Sequence, residues 1–137
     1  MNPVQKNLAL APADTLRSRL SDLVTDFYKS LVRSRDSLLL TREQVDSLNA
    51  ADGRYRPRAD SVWAGLAKYI AESGDRPDLK EITRLMDAAK VRAWAIQREE
   101  VPRMMAVLVP AQRVLAQIML RALIDSKDHL PSSPHIF

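Results

Sequence analysis

Cysteine is absent from the 137 residues, which excludes disulfides and thiolate metal sites. Only three glycines are present, too few for a glycine-rich phosphate loop. The two histidines, His129 and His135, stand near the C-terminus with Asp125 and Asp128 beside them. Zinc wants three or four rigidly held ligands, so no metal and no cofactor is expected. A Ser–His–acid triad would need a histidine within the folded part of the chain, and none is there. Glu99 and Glu100 are adjacent, which turns them about 100° apart on a helix and prevents them from facing each other as an acid–base pair. The chain is therefore not expected to be an enzyme. Long apolar runs are missing too: no stretch approaches the ~20 residues that span a bilayer. The opening Met1-Asn2-Pro3-Val4-Gln5-Lys6 lacks the basic start and apolar core of a signal peptide.

What is there favours helices. Hydrophobic residues make up 46% and charged residues 28%, as in folded proteins rather than disordered ones. Ala, Leu, Arg, Met, Lys, Gln and Glu dominate, all good helix formers, and β-branched residues never alternate with polar ones over a strand length. The net charge is +4 and the pI about 9.7, which allows attraction to acidic partners. Acids are interspersed among the bases, and no basic block is interleaved with aromatics as nucleobase stacking requires. No nucleic-acid partner is expected.

The pattern predicts an all-α fold with four helices around a long antiparallel helical hairpin, bent or kinked. Residues 1–12 read as an extended lead-in, 13–126 as a single helical domain and 127–137 as a flexible tail. Leu16, Leu20, Leu23, Val24, Phe27 and Leu31 recur at spacings of three and four, an amphipathic stripe that predicts one helix from about Asp14 to Ser37, with Asp22 and Asp26 on its polar face. In Leu40-Thr41-Arg42-Glu43-Gln44 the Thr41 hydroxyl is placed to accept from the Gln44 amide while the Gln44 side chain reaches back to Thr41, a capping box preceded by a leucine staple. The helix that follows carries Val45, Leu48, Tyr55, Val62, Leu66, Tyr69 and Ile70, with Pro57 kinking it. Ser73-Gly74-Asp75-Arg76-Pro77 stops it, and Asp78 with Glu81 reads as a second capping box. The third helix presents Leu79, Ile82, Leu85, Met86, Ala89, Ala93, Ile96 and Val101, with Pro102 near its end. The short connection makes the second and third helices antiparallel, each roughly 40–50 Å long at 1.5 Å per residue. Leu108-Val109-Pro110-Ala111-Gln112 opens the fourth, with proline at the favoured first position and Val114, Leu115, Ile118, Ala122 and Leu123 as its buried stripe.

Two of these segments are alike. Leu40 and Gln44 in one copy correspond to Leu108 and Gln112 in the other, Val109 stands where the first has Thr41 and is followed by Pro110, and the hairpin between them carries Trp63 and Trp94 as core anchors. The layout, over about Leu38 to Leu123, resembles the LTxxQ-motif family of periplasmic chaperones and envelope- or metal-stress proteins of the Spy and CpxP type. The second copy departs from the pattern at Val109, which lacks the capping hydroxyl. The resemblance implies a homodimer of thin, bent protomers in the periplasm that hold unfolded or partner polypeptides without ATP. Related segments also look like end modules of larger envelope proteins, which leaves a structural or dimerisation domain as the alternative. The motif residues themselves read as helix caps. Arg54, Arg56 and Arg58, flanking Pro57, could steer acidic chains, and Met86, Met104 and Met105 could adapt to varied partners. These six are the candidate polypeptide-binding surface.

Overall fold

The computed structural model describes residues 13–127, with side chains over 15–125. Seven α-helices make up these residues: α1 (Ala13–Ser21), α2 (Phe27–Arg33), α3 (Arg35–Leu38), α4 (Arg42–Ser61), α5 (Ala64–Ser73), α6 (Leu79–Val107) and α7 (Pro110–Lys127). The architecture is all-α. The lead-in and nearly all of the expected tail, with His129, His135 and Asp128, lie outside the described residues.

Two expected helices are divided. The single helix expected over 14–37 breaks after Ser21, because Asp26 adopts an extended backbone and starts α2 afresh by accepting from the Lys29 amide at 3.3 Å. A local side-chain acceptor outcompetes helix continuation there. The helix expected after Thr41 runs through Pro57 and stops at Ser61 instead. At that point the Val62 and Trp63 amides donate three residues back, to Ala59 and Asp60, a tight turn that sends the Trp63 side chain fully inside. Likewise α6 runs on beyond Pro102 to Val107.

The described residues pack as two compact units. The first comprises residues 13–24 and 57–93. Here α1 packs on α5, and Leu16, Val62, Trp63, Leu66 and Ala67 are buried. Gly74 ends α5 at φ 64°, a positive angle that glycine adopts without strain. Asp78 Oδ1 caps α6 by accepting from the Lys80 amide at 2.9 Å. The other half of that expected capping box is not made, because Glu81 pairs with Arg84 and the Asp78 amide donates to the Tyr69 hydroxyl.

The second unit comprises residues 25–56 and 94–127. Its α2 and α3 pack on α7 over a core that includes Phe27, Tyr28, Leu31, Leu48, Tyr55, Met104 and Leu120. Phe27 meets Trp94 edge-on at 5.6 Å between ring centroids, and Tyr28 meets Tyr55 at 5.8 Å.

Candidate functional site

Three features of the second unit bear on function. The first joins the two repeated segments. Gln44 Nε2 donates to Gln112 Oε1 at 2.7 Å, and Gln112 Nε2 donates back to Gln44 Oε1 at 3.2 Å. Each amide then completes its bonding in the same way. Gln44 Oε1 accepts from the Thr41 amide and Nε2 donates to the Val107 carbonyl. Gln112 Oε1 accepts from the Val109 amide and Nε2 donates to the Leu38 and Leu39 carbonyls. Each glutamine thus caps its own helix start and ties it to the helix end preceding the other copy. All donors and acceptors of both amides are used, as largely buried amides require. Only the first copy has the Thr41 hydroxyl accepting from the Gln44 amide, at 3.1 Å. In the second, Arg113 Nε lies near the corresponding turn and bonds the Met105 and Leu108 carbonyls.

The second feature is a set of buried polar groups that the sequence did not single out. Asp26, Asp52, Gln97 and Glu100 are all buried, Gln97 completely. Gln97 accepts from the Phe27 amide and donates to the Thr25 carbonyl, gripping the peptides on either side of Asp26. The Tyr28 hydroxyl donates to Glu100 Oε1 at 3.1 Å, and Arg103 approaches Glu100 Oε2 at 3.3 Å. Asp26 Oδ2 and Asp52 Oδ1 are buried without a hydrogen-bond partner, and Arg56 Nη1 stands 4.0 Å from Asp26 Oδ2. Burial, then the neighbouring Asp52 carboxyl, push the Asp26 carboxyl from its ordinary 3.8 to about 7, against the opposing pull of the Lys29 amide and Arg56. Burial likewise raises Tyr28, helped by Glu100, and Tyr55, helped by Asp26. A signal for Asp26 was present, since an aspartate directly before an apolar pair can start a helix. The register of the continuous stripe concealed it.

The third feature corrects the expected buried stripe of the last helix. Inward on α7 are Gln112, Ala116 and Leu120, whereas Val114, Leu115 and Ile118 are 58%, 48% and 62% exposed. Eight large apolar side chains stand exposed in the described chain, and four of them fall between Val109 and Ile118, so the apolar exterior is concentrated there. Leu39 is another, 81% exposed and held at φ 55°, a left-handed conformation disfavoured for a branched side chain.

The six residues proposed as a binding surface are not equivalent. Met104 is fully buried and serves as core filler rather than surface. Met86 and Met105 are half-buried, Arg54 and Arg58 are exposed, and Arg56 leans toward Asp26. Arg58 and Met86 belong to the first unit, the others to the second. Trp63 and Trp94 are both buried. Among the described residues no group of three His, Cys, Asp or Glu side chains could hold a metal ion, and no helix is long and apolar enough to cross a membrane. No family model, curated protein or solved structure matches the chain.

Proposed function

We propose that this chain is a non-enzymatic helical binding protein that holds acidic, partly unfolded polypeptide segments through the outward face of α7. The observation that carries the proposal is the exposed row Val114, Leu115 and Ile118, flanked along the helix by exposed Ala111 and Ala122. Ala111, Leu115, Ile118 and Ala122 follow a four–three–four spacing, which lays them along one side of a helix. An apolar row of this kind gains from being covered.

Charge supports an acidic partner. Residues 25–56 and 94–125 carry ten Lys and Arg against eight Asp and Glu. Three of the acids, Asp26, Asp52 and Glu100, are buried, while no Lys or Arg is. Two of the ten cations, Arg56 and Arg103, lie against buried Asp26 and Glu100, which leaves eight against five acids on the exterior of this unit, more basic than the sequence count suggests. Such a surface speeds the encounter with acidic chains. Leu39 adds a further exposed leucine, kept at a backbone angle where glycine would be unstrained.

The resemblance to the LTxxQ-motif family points the same way, and the reciprocal bonding of Gln44 and Gln112 supports treating the two segments as copies of one motif. Contact between the start of α4 and the end of α6, from Gln44 to the Val107 carbonyl, agrees with antiparallel arms of a hairpin. A periplasmic location follows from the resemblance alone.

The test is suppression of light scattering from an acidic aggregating client at near-equal ratio, with Leu115→Gln/Ile118→Gln beside the wild type. Suppression by the wild type and its loss in the folded variant support the reading; equal suppression by both removes α7 as the surface. The four–three–four spacing favours one second reading, a homodimer through α7 without client activity. That reading predicts a dimer in analytical ultracentrifugation that the same variant dissociates, and no effect on client scattering.

A further inference from the structure

Between its first and last turns a helix bonds every amide and carbonyl to itself. The outward row of α7 therefore offers a partner side chains and almost no free main-chain groups. An extended segment laid along it would press its own amides and carbonyls against apolar side chains, unpaired. A second helix arrives with its main chain already bonded. The row also has the relief that helix packing uses. Its four–three–four spacing is that of a packing seam, with small Ala111 and Ala122 at the ends. Leu115 and Ile118, 48% and 62% exposed, project between them.

A strained residue marks one end of this face. Leu39 is held at φ 55° and ψ 43° with its side chain 81% exposed. That conformation disfavours a branched side chain, and the leucine adds nothing to the core in return. Strain without an internal cause points to contact with something outside. Leu39 lies at the Pro110 end of the row. Gln112 Nε2 donates to its carbonyl at 3.1 Å while Gln112 Oε1 accepts from the Val109 amide at 3.0 Å. One side-chain amide thus reaches from Leu39 to the residue before α7, and Val109 is itself 53% exposed. From Val109 to Ala122 the helix rises about 20 Å, nearly four turns.

Charge sets the sign of the partner. Among residues 110–124 the charged side chains are Arg113 and Arg121, both exposed, with no acid. Arg121 follows Ile118 by three positions and so stands beside the row. Arg113 is anchored at the helix start by the Met105 and Leu108 carbonyls. An acidic segment meets attraction here and a basic one repulsion.

We propose that the occupant of this face is an acidic amphipathic helix of about four turns. Its apolar stripe lies on Leu115 and Ile118, one end meets Leu39, and a carboxylate stands beside Arg121. The inference rests on the reading of α7 as the holding surface, and narrows the clients to segments that coil on contact.

The test uses the full chain and a labelled synthetic peptide of roughly 16 residues, about four turns, with leucines at four–three–four spacing and glutamates on one flank. Fluorescence anisotropy should show binding, and circular dichroism should show helix gained beyond the sum of the separate spectra. A central proline, replacing neither a leucine nor a glutamate, breaks the peptide helix and should weaken binding at least about tenfold. Leu115→Gln/Ile118→Gln should weaken it about tenfold as well, and L39G about threefold. Lysines in place of the glutamates should weaken binding, and R121E should recover about two- to fivefold of that loss. Equal binding of the proline peptide overturns the helical occupant and leaves client holding through α7 in place. So does failure of every peptide to bind a protein that suppresses client scattering through α7. A dimer that Leu115→Gln/Ile118→Gln dissociates and the peptide does not displace overturns it in favour of a second copy. Client suppression indifferent to Leu115→Gln/Ile118→Gln removes the underlying reading of α7, and this inference with it.

Discussion

The side-chain amides of Gln44 and Gln112 hydrogen-bond to each other in both directions, at 2.7 and 3.2 Å. Sixty-eight residues apart in sequence, they form one closed unit in which each amide also caps a helix start and binds a carbonyl from the end of another helix. Gln112→Ala should leave those carbonyls and the Val109 amide short of partners, each costing about 1–3 kcal/mol if water cannot reach it. Gln44→Ala should cost a comparable amount. The double variant should lose less than the sum of the singles by about 1 kcal/mol or more, because the second removal has no mutual pair left to break. Urea unfolding of the four proteins checks this, and strict additivity would show that the two amides act independently.

Val109 occupies the position equivalent to Thr41 and lacks the hydroxyl that accepts from the Gln44 amide in the first copy. Val109 is half exposed, so a threonine there meets no burial cost. Val109→Thr should raise stability by about 0.5–1 kcal/mol through the restored cap. An unchanged midpoint in denaturant would mean that the two helix starts differ in more than this side chain.

The two faces of α7 should respond oppositely to substitution. Leu120 is fully buried, and Leu120→Ala should cost about 2–5 kcal/mol through lost transfer energy and the cavity left behind. Ile118→Gln, on the exposed row, should change stability by no more than about 0.5 kcal/mol while weakening client holding. Met104→Ala should behave like Leu120→Ala, since Met104 is fully buried as well. Thermal unfolding separates the sets, and a large loss from Ile118→Gln would place that residue in the core.

Leu39 holds φ 55° as the C-cap of α3 while its side chain stands in solvent. Leu39→Gly should relieve the left-handed strain, about 1–2 kcal/mol, partly offset by the greater freedom glycine gains in the unfolded chain. A net gain in stability is expected from denaturant unfolding. If binding to an acidic client falls at the same time, the leucine is kept for contact at the expense of backbone comfort.

Secondary-structure type, the capping box at Thr41–Gln44, the start of α7 at Pro110 and the stop at Gly74 were legible from the sequence by itself. Each depends on residues within a few positions of one another: propensity, a side-chain acceptor three residues from its donor, a proline at a helix start, a glycine free to take positive φ. What only the tertiary structure decided depends on distant partners. Periodicity marks an apolar stripe on α7 but not whether it meets a core, and Gln112, Ala116 and Leu120 took the inner side because the amide of Gln112 is drawn to Gln44 and to the Leu38 and Leu39 carbonyls. Asp26 looked like one more polar residue on a continuous helix until its cap, Gln97 on α6 and Asp52 on α4 were brought to it. Local chemistry makes the helices, but only the contacts between remote segments determine which of their faces stay wet.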